Sequence, residues 1–271
     1  MPELRTPMLK LNDGMDIPQL GLGTWEITGK QCENAVKWAL EIGYRHIDTA
    51  KIYGNEIEVG NAIKNSGIPR KEIFVTTKLW NDDHDDIESA FEKSLKNLQM
   101  DYVDLYLMHY PVQERLRSWA IMEKILRSGK AKSIGVSNFT ISHLKSLLEV
   151  ADVVPVVNQV EFHPLLYQKD LSVFCKNNRI LLEAYSPLTR GRRLKDDRFT
   201  NIASRYGKSN AQLLIRWALQ HGLIVIPKSH NMERINENFS VFDFNISDDD
   251  MSLLDATNEN LRFCWDPSKE L

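Results

Sequence analysis

Long apolar runs are missing from the sequence. Stretches such as LIVI at positions 223–226 are far too short to span a bilayer. The opening segment, MPELRTPMLKLNDGMDIPQL, also lacks the continuous apolar region of a secretion signal. We therefore expect no membrane partner and no export, and we expect the protein in the cytoplasm.

Cysteine is scarce, which excludes two further classes of protein. The three cysteines, Cys32, Cys175 and Cys264, are odd in number, widely spaced and outside any CxxC pattern. Neither a disulfide framework nor a zinc site is indicated. HxH and HExxH patterns are also missing. The sequence therefore offers no set of metal ligands for a zinc-dependent barrel hydrolase. The expected metal content is none.

Neither sign of charge dominates the composition. Lysine and arginine number 34 against 37 acidic residues, which gives a net charge of -3. This balance does not favour nucleic acid or an anionic membrane as a partner. With 42% hydrophobic residues, the chain is globular in composition and long enough to bury a full core.

Strand-like and helix-like segments alternate along the chain. A hairpin is predicted at MLKLNDGMDIP, and about eight strand-then-helix units follow, beginning at QLGLG and ending at LIVIPKS with MERINENFSV. The first turn, GLGTW, lacks the third glycine that a doubly wound dinucleotide-binding sheet usually carries. No linker divides the chain. The pattern predicts one domain over residues 1–271, an α/β fold of the (β/α)8 TIM-barrel type.

Polar residues follow nearly every predicted strand. Chemistry in such barrels sits at the carboxyl ends of the strands, so these residues are expected at one mouth. In chain order they are Thr24 and Trp25, Asp48, Lys78 and Trp80, His109, Ser137 and Asn138, Asn158 and Gln159 with Glu161 beyond, Tyr185, and Lys228 and Ser229.

Several motifs, in their order along the chain, resemble the signatures of the aldo-keto reductases. They are GYRHIDTAKIYGNE, TTKLW, LMHYP, GVSNF, NQVEFHP and IPKS followed by RINEN. The resemblance covers essentially the whole chain and is strongest to compact members such as 2,5-diketo-D-gluconate reductases and prostaglandin F synthases. It implies NADP(H) as cofactor, reversible reduction of small-molecule carbonyl substrates (aldehydes and ketones), and a catalytic tetrad of Asp48, Tyr53, Lys78 and His109. We expect a monomer.

Physical chemistry assigns a role to each member of this tetrad. Tyrosine has a pKa near 10, and an ammonium group about 4 Å away contributes on the order of 4 kcal/mol, so Lys78 is expected to lower the pKa of Tyr53 toward neutrality. Asp48 keeps the buried Lys78 charged. His109 is expected to stay neutral and to donate a hydrogen bond to the substrate carbonyl.

The cofactor contacts expected from strand ends and from the resemblance run from the nicotinamide to the adenine. Ser137, Asn138 and Gln159 suit the carboxamide, and the ring of Tyr185 suits stacking on the nicotinamide. Lys228, Ser229 and Arg234 lie at the phosphate end, and Glu237 and Asn238 match positions that contact adenine. The remaining expected contacts are Gly23, Thr24, Asp48, Ser186, Leu188, Arg190 and His230.

Aromatic residues are expected to form the substrate pocket. Its predicted walls are Trp25, Trp80, His109, Tyr110 and Trp265, with Trp265 carried by a C-terminal tail that folds across the mouth. Tyr110 stands where many relatives have tryptophan, and the short segment after Pro111 implies an open pocket.

One alternative function has the same fold, and the remaining histidines need a placement. A non-catalytic NADP(H)-binding redox sensor or structural subunit would share the fold, and the intact tetrad argues against it. The other histidines are expected in ordinary positions: His46 inside a strand, His163 bracing a loop, and His84, His143 and His221 on solvated helix surfaces.

Overall fold

A short antiparallel hairpin covers one end of the molecule. A computed structural model describes residues 6–270 and places strand β1 at Met8–Lys10 and β2 at Asp16–Pro18. Leu11 and Ile17 of this hairpin are buried against residues near the beginnings of the barrel strands. These are Phe74, Leu105, Val157 and Ile224. The hairpin therefore lies at the amino-terminal end of the barrel, opposite the expected site.

Eight parallel strands form the barrel, as the sequence predicted. They are β3 Leu22–Gly23, β4 His46–Asp48, β5 Phe74–Leu79, β6 Val103–Met108, β7 Ala131–Ser137, β8 Val157–Glu161, β9 Leu181–Tyr185 and β10 Ile224–Val225. Parallel bridges from Leu20 to Val225 and from Gly23 to Lys228 join the first strand to the last. A Cβ atom at Gly23 would lie 2.9 Å from the Ile226 carbonyl oxygen, so only glycine fits this seam.

Helices surround the barrel and bury one face each. They are α1 Gly29–Ile42, α2 Glu56–Asn65, α3 Ile87–Leu98, α4 Arg115–Arg127, α5 Ile141–Leu148, α6 Lys169–Asn177, α7 Asp197–Ala203, α8 Asn210–Gln220, α9 Met232–Phe239 and α10 Asp248–Asp255. In α1 the buried residues recur at helical spacing, at Ala35, Val36, Ala39 and Leu40. Helices α7 and α10 fall outside the predicted strand-then-helix units.

The segment after α10 returns across the carboxyl ends of the strands. Backbone N–H groups of Glu259 and Leu261 both donate to the Leu165 carbonyl oxygen, at 3.1 and 2.9 Å. The segment then carries Trp265 to the mouth and ends in a 3₁₀ turn at Pro267–Lys269. Over residues 6–270, no helix has the length and apolar character needed to cross a membrane.

Candidate active site

Three members of the predicted tetrad meet inside the barrel. Asp48 ends β4, Lys78 lies on β5, and Tyr53 closes the 3₁₀ turn Lys51–Tyr53 that follows β4. Lys78 Nζ lies 2.6 Å from Asp48 Oδ1, 2.9 Å from the Thr49 carbonyl oxygen and 3.3 Å from the Tyr53 hydroxyl. Lys78 is fully buried. All three hydrogens of its ammonium group therefore have an acceptor, and one of the acceptors is the phenol.

The structure contradicts the expectation that Lys78 lowers the pKa of Tyr53. Burial raises the pKa of this phenol well above its usual value, and the negative charge of Asp48 adds to the rise. Burial of the phenol is the largest cause, and the ammonium charge of Lys78 is balanced by the Asp48 carboxylate that it contacts. Tyr53 is therefore a protonated phenol at neutral pH.

His109 follows β6 and lies among aromatic rings. Its ring centroid is 5.7 Å from that of Tyr53, 5.3 Å from that of Trp80 and 5.7 Å from that of Tyr110. Burial, and then the charge of Lys78, lower the pKa of His109 well below its usual value. The imidazole is therefore neutral, with one ring nitrogen a donor and the other an acceptor.

One cavity of about 1180 Å³ connects this centre with most of the residues singled out in the sequence. The predicted site residues that line it are Gly23, Trp25, Asp48, Tyr53, Trp80, His109, Tyr110, Ser137, Asn138, Gln159, Tyr185, Ser186, Leu188, Arg190, Lys228, Ser229, His230, Arg234, Glu237, Asn238 and Trp265. Lys78 lies beneath the lining, and Thr24 also lies outside it. The Thr24 hydroxyl donates to the Asp48 carbonyl oxygen at 2.9 Å and so braces the end of β4.

The middle of the cavity is a connected polar network. The Tyr185 hydroxyl donates to Asn138 Oδ1 at 2.7 Å, and Asn138 Nδ2 donates to the His109 carbonyl oxygen at 2.9 Å. The Ser137 hydroxyl donates to the Gln159 carbonyl oxygen at 2.9 Å. These side chains are therefore fixed before any ligand arrives, which suits recognition of a flat amide.

The far end of the cavity is basic. Lys228 follows β10, Ser229 is buried beside it, and Arg234 lies in the first turn of α9. Among residues 6–270, neither the Lys228 ammonium nor the Arg234 guanidinium has an ion-pair partner, and Arg234 is exposed. The amino terminus of α9 adds its partial positive charge. This end is suited to an anion.

The basic run TRGRRLKDDR at positions 189–198 divides into two groups. Arg190 contacts Glu26 at 3.2 Å, and Arg192 and Lys195 line the cavity. Arg193 and Arg198 instead form ion pairs with Asp196 and Glu259 outside the cavity. Only part of the basic run is therefore available to a ligand.

Sequence reasoning missed several lining residues. These are Glu26, Ile52, Pro187, Gly191, Arg192, Leu194, Lys195, Ser209, Asn210, Ala211, Ile226 and Cys264. Ser209 did carry a signal, because SNAQ before an apolar run is the capping box that begins α8. Most of the others stand on loops whose path has no periodic pattern.

Glu161 is a further residue that the sequence analysis left without a role. It ends β8 and is fully buried. Its carboxylate oxygens accept from the backbone N–H of Phe263 at 2.8 Å and of Cys264 at 3.2 Å. The next residue, Trp265, packs on Tyr110 with ring centroids 4.5 Å apart. Glu161 therefore holds the tail that supplies one wall of the cavity.

Two of the other histidines are not where they were expected. His84 and His143 are buried, not solvated, because each has polar partners: His84 Nδ1 lies 2.7 Å from the Ser118 hydroxyl, and His143 forms a capping box with Thr140. His221 is partly exposed and lies 2.8 Å from Asp255. His163 is buried 3.2 Å from Glu161, and His46 is buried within β4.

A closed parallel barrel with polar and aromatic residues gathered at its carboxyl ends is the arrangement typical of barrel enzymes. Within this class, residues 19–259 match the model of the aldo/keto reductase family. The chain belongs to that family and is therefore an oxidoreductase.

Relatives match over nearly the whole chain. Glyoxal reductase of Bacillus subtilis (strain 168) is 46% identical and covers 100% of both chains. Methylglyoxal reductase DkgA of Escherichia coli (strain K12) is 45% identical over 97% of each. The crystal structure of Bombyx mori aldo-keto reductase in complex with NADP has a TM-score of 0.90 and 39% identity, covering 96% of this chain and 95% of that chain.

Proposed function

We propose that this chain reduces aldehydes and ketones to alcohols with NADPH, and that Asp48, Tyr53, Lys78 and His109 carry the chemistry. The observation that carries this proposal is the Tyr53 phenol, which lines the cavity and lies 3.3 Å from the buried Lys78 ammonium. The printed names of two relatives, a glyoxal and a methylglyoxal reductase, support a carbonyl substrate.

Tyr53 is the proton donor in this proposal. Bound NADPH supplies the hydride that the carbonyl carbon receives. The carbonyl oxygen gains negative charge as the hydride arrives, and the Tyr53 hydroxyl gives its proton to that oxygen. Because burial raises the pKa of Tyr53, the phenol holds its proton until that charge develops. The Lys78 ammonium then stabilises the phenolate that remains.

His109 orients the substrate. Its lowered pKa leaves a neutral ring with a single N–H, which donates to the carbonyl oxygen without competing with Tyr53 as an acid. The surrounding aromatic rings exclude water from the reacting atoms, which strengthens both hydrogen bonds.

The residues along the cavity fit NADPH. Asn138, Ser137 and Gln159 form the fixed polar network at the barrel mouth, and Tyr185 lies beside them with a flat ring. At the basic end, Arg234, Lys228 and Ser229 offer a guanidinium, an ammonium and a hydroxyl to the 2′-phosphate. Glu237 and Asn238 line the same end and would contact the adenine. The structure with NADP among its neighbours supports the same cofactor.

A substrate screen tests the proposal. NADPH consumption is followed by absorbance against aldehydes, α-dicarbonyls, keto sugars and quinones, with NADH in parallel reactions. We expect turnover with at least one carbonyl class and a preference for NADPH. A protein that binds NADPH tightly and reduces none of the panel would instead be the non-catalytic nucleotide-binding alternative.

A further inference from the structure

Glu183 is a buried carboxyl group that the proposed reaction does not use. It lies on β9, is fully buried, and accepts from Gln159 Nε2 at 2.7 Å through Oε2. The same nitrogen donates to Asp48 Oδ2 at 2.8 Å. Both hydrogens of the Gln159 amide are thereby used. Gln159 therefore connects two carboxyl groups, one of which belongs to the tetrad.

The other oxygen of Glu183 has no hydrogen-bond partner in the described part of the chain. The ring nitrogen His46 Nε2 lies 3.6 Å from it, which is too long for a hydrogen bond. An ionised carboxylate with a bare, buried oxygen is strongly disfavoured. A neutral acid with one unpaired oxygen costs less than a carboxylate with one, so the geometry favours the protonated acid.

The charges around Glu183 lead to the same conclusion. The titratable and charged groups that face it are His46 and Asp48 of β4, Lys78 of β5, and the Tyr53 phenol. The neighbouring strands contribute no charge. The partner from β8 is the uncharged Gln159, and the β10 residues that pair with β9 are Ile224 and Val225. Burial, and then Lys78, lower the pKa of His46 to about 3, so this ring is neutral. Lys78 has already given its three hydrogens to other acceptors.

Two negative charges on this pair of carboxyl groups are therefore disfavoured at neutral pH. Burial raises the pKa of both, but a hydrogen bond from Lys78 opposes the rise at Asp48 alone. Burial, followed by the charge of Asp48, raises the pKa of Glu183 to about 8. The proton resides on Glu183, and the negative charge resides on Asp48.

We propose that Glu183 is a positioning residue of the reductase site, which stays uncharged during turnover and holds the Gln159 amide with its nitrogen toward Asp48. This inference rests on the proposed carbonyl reduction. The arrangement leaves the carbonyl oxygen as the one polar atom of the Gln159 side chain available to a nicotinamide carboxamide. Ionisation of Glu183 places a second negative charge beside a single ammonium, which opposes formation of the Tyr53 phenolate and slows reduction.

The pH dependence of kcat in Glu183→Gln tests this proposal. Glutamine has the same size and no charge, and its carbonyl oxygen replaces the acceptor that Gln159 needs. We expect the wild-type kcat to fall as pH rises through an inflection near 8, by up to about tenfold per pH unit. Glu183→Gln should keep the neutral-pH rate and lose that inflection. An inflection that persists in the variant, or a variant inactive at every pH, would overturn the proposal.

Glu183→Ala separates positioning from charge. The alanine variant also removes the inflection, but it leaves Gln159 without its second acceptor. We therefore expect a lower kcat at every pH and weaker NADPH binding than in Glu183→Gln. Equal kcat and equal NADPH affinity in the two variants would show that Glu183 does not position Gln159.

A stability measurement needs neither cofactor nor substrate. The pKa of Glu183 in the folded protein, about 8, lies above the ordinary value of 4.5, so between these values only the folded state retains the proton. The contribution of this group to stability is therefore present below pH 4.5 and decreases as pH rises toward 8. Denaturant unfolding of the ligand-free proteins should show wild type losing stability relative to Glu183→Gln across that range. A difference in stability between the two proteins that does not change with pH would contradict a protonated Glu183. A wild type that reduces no carbonyl would refute the proposed function, but the stability measurement would still test the protonation of Glu183.

Discussion

The interior below Tyr53 and the mouth above it are built in different ways. Lys78 and Asp48 lie on adjacent strands, fully or almost fully buried, and their partners lie within ordinary hydrogen-bond distance. Trp25 and Trp265 stand on a loop and a tail and are 44% and 47% exposed. A strand cannot move its side chains without losing its neighbours, whereas a loop or tail is held by few contacts.

This difference separates two kinds of effect. Groups in the interior are rigidly placed and desolvated, so we expect them to control the chemical step. Groups at the mouth are exposed and lie on a loop and a tail, so we expect them to control which substrates bind and how tightly. Substitutions in the interior should therefore change mainly kcat, and substitutions at the mouth should change mainly KM or the affinity for NADPH.

The largest effect is expected for Lys78→Met. The variant leaves Asp48 as an unpaired buried charge, and breaking a buried ion pair typically costs about 3 to 5 kcal/mol of stability. It also removes the charge that stabilises the Tyr53 phenolate, so kcat should fall by about 10²- to 10⁴-fold. Steady-state kinetics and denaturant unfolding measure the two effects.

Lys130→Met is the matched control for this experiment. Lys130 forms an ion pair with Glu92 at the surface, where such pairs contribute about 0 to 1 kcal/mol. Its loss should change neither kcat nor stability appreciably. A Lys78→Met protein as stable and active as this control would show that the interior is not the rigid part of the site.

Arg234→Ala is expected to act on binding alone. Arg234 is exposed and has no ion-pair partner in the described residues, so its interaction with a 2′-phosphate is partly screened. Loss of a screened charge-assisted contact should weaken NADPH binding by roughly 10- to 100-fold and leave NADH binding unchanged. Fluorescence titrations at two salt concentrations measure both dissociation constants.

The exposed Arg127, on the outer surface of α4, provides the control Arg127→Ala. The affinity for NADPH should be unchanged in this variant. If Arg234→Ala weakened NADPH and NADH equally, Arg234 would have no specific relation to the 2′-phosphate.

A smaller effect is expected for Glu161→Gln, which loosens the tail. The amide group replaces one carboxylate oxygen with a donor, which faces the donating N–H of Phe263 or Cys264. The KM for the best substrate should rise several-fold while kcat changes little, because Trp265 loses its fixed place and Tyr53 does not. Kinetics and tryptophan fluorescence of ligand-free protein provide the measurements.

Glu149→Gln, at an exposed position after α5, is the control for the loosened tail. This change should leave KM and fluorescence unaltered. If kcat of Glu161→Gln fell by as large a factor as KM rose, the tail would contribute to the chemical step and not only to substrate binding.

The same two regions differ in how well the sequence predicts them. Asp48, Lys78 and His109 lie at or just beyond the carboxyl ends of strands with a clear apolar pattern, so the barrel topology alone brings them together. The pairing of Lys78 with Asp48 also follows from chemistry, because neither charge can be buried alone. The direction in which the pKa of Tyr53 shifts could not be predicted in this way, since it depends first on how deeply the phenol is buried and then on the charge of Asp48.

The contacts that build the mouth of the barrel are not predicted by the sequence, because they join residues that are far apart along the chain. Glu161 and Phe263 are separated by about a hundred residues, and no periodic pattern connects a strand end with a tail backbone. Arg193 and Arg198 looked equivalent to Arg192 in the sequence, but Asp196 and Glu259 draw them away from the cavity. Ion pairs between loops depend on side-chain placement that composition does not determine.

The central claim, that Tyr53 donates the proton, is tested most directly by Tyr53→Phe. This variant removes one hydroxyl that has Lys78 Nζ at 3.3 Å, and it keeps the ring that packs on Trp25. Carbonyl reduction with saturating NADPH and NADPH binding by fluorescence are measured on the same protein. The account predicts a fall in kcat of about 10²- to 10⁴-fold with an unchanged dissociation constant for NADPH. A variant that binds NADPH normally and reduces its best aldehyde at a rate close to that of the wild type would contradict it.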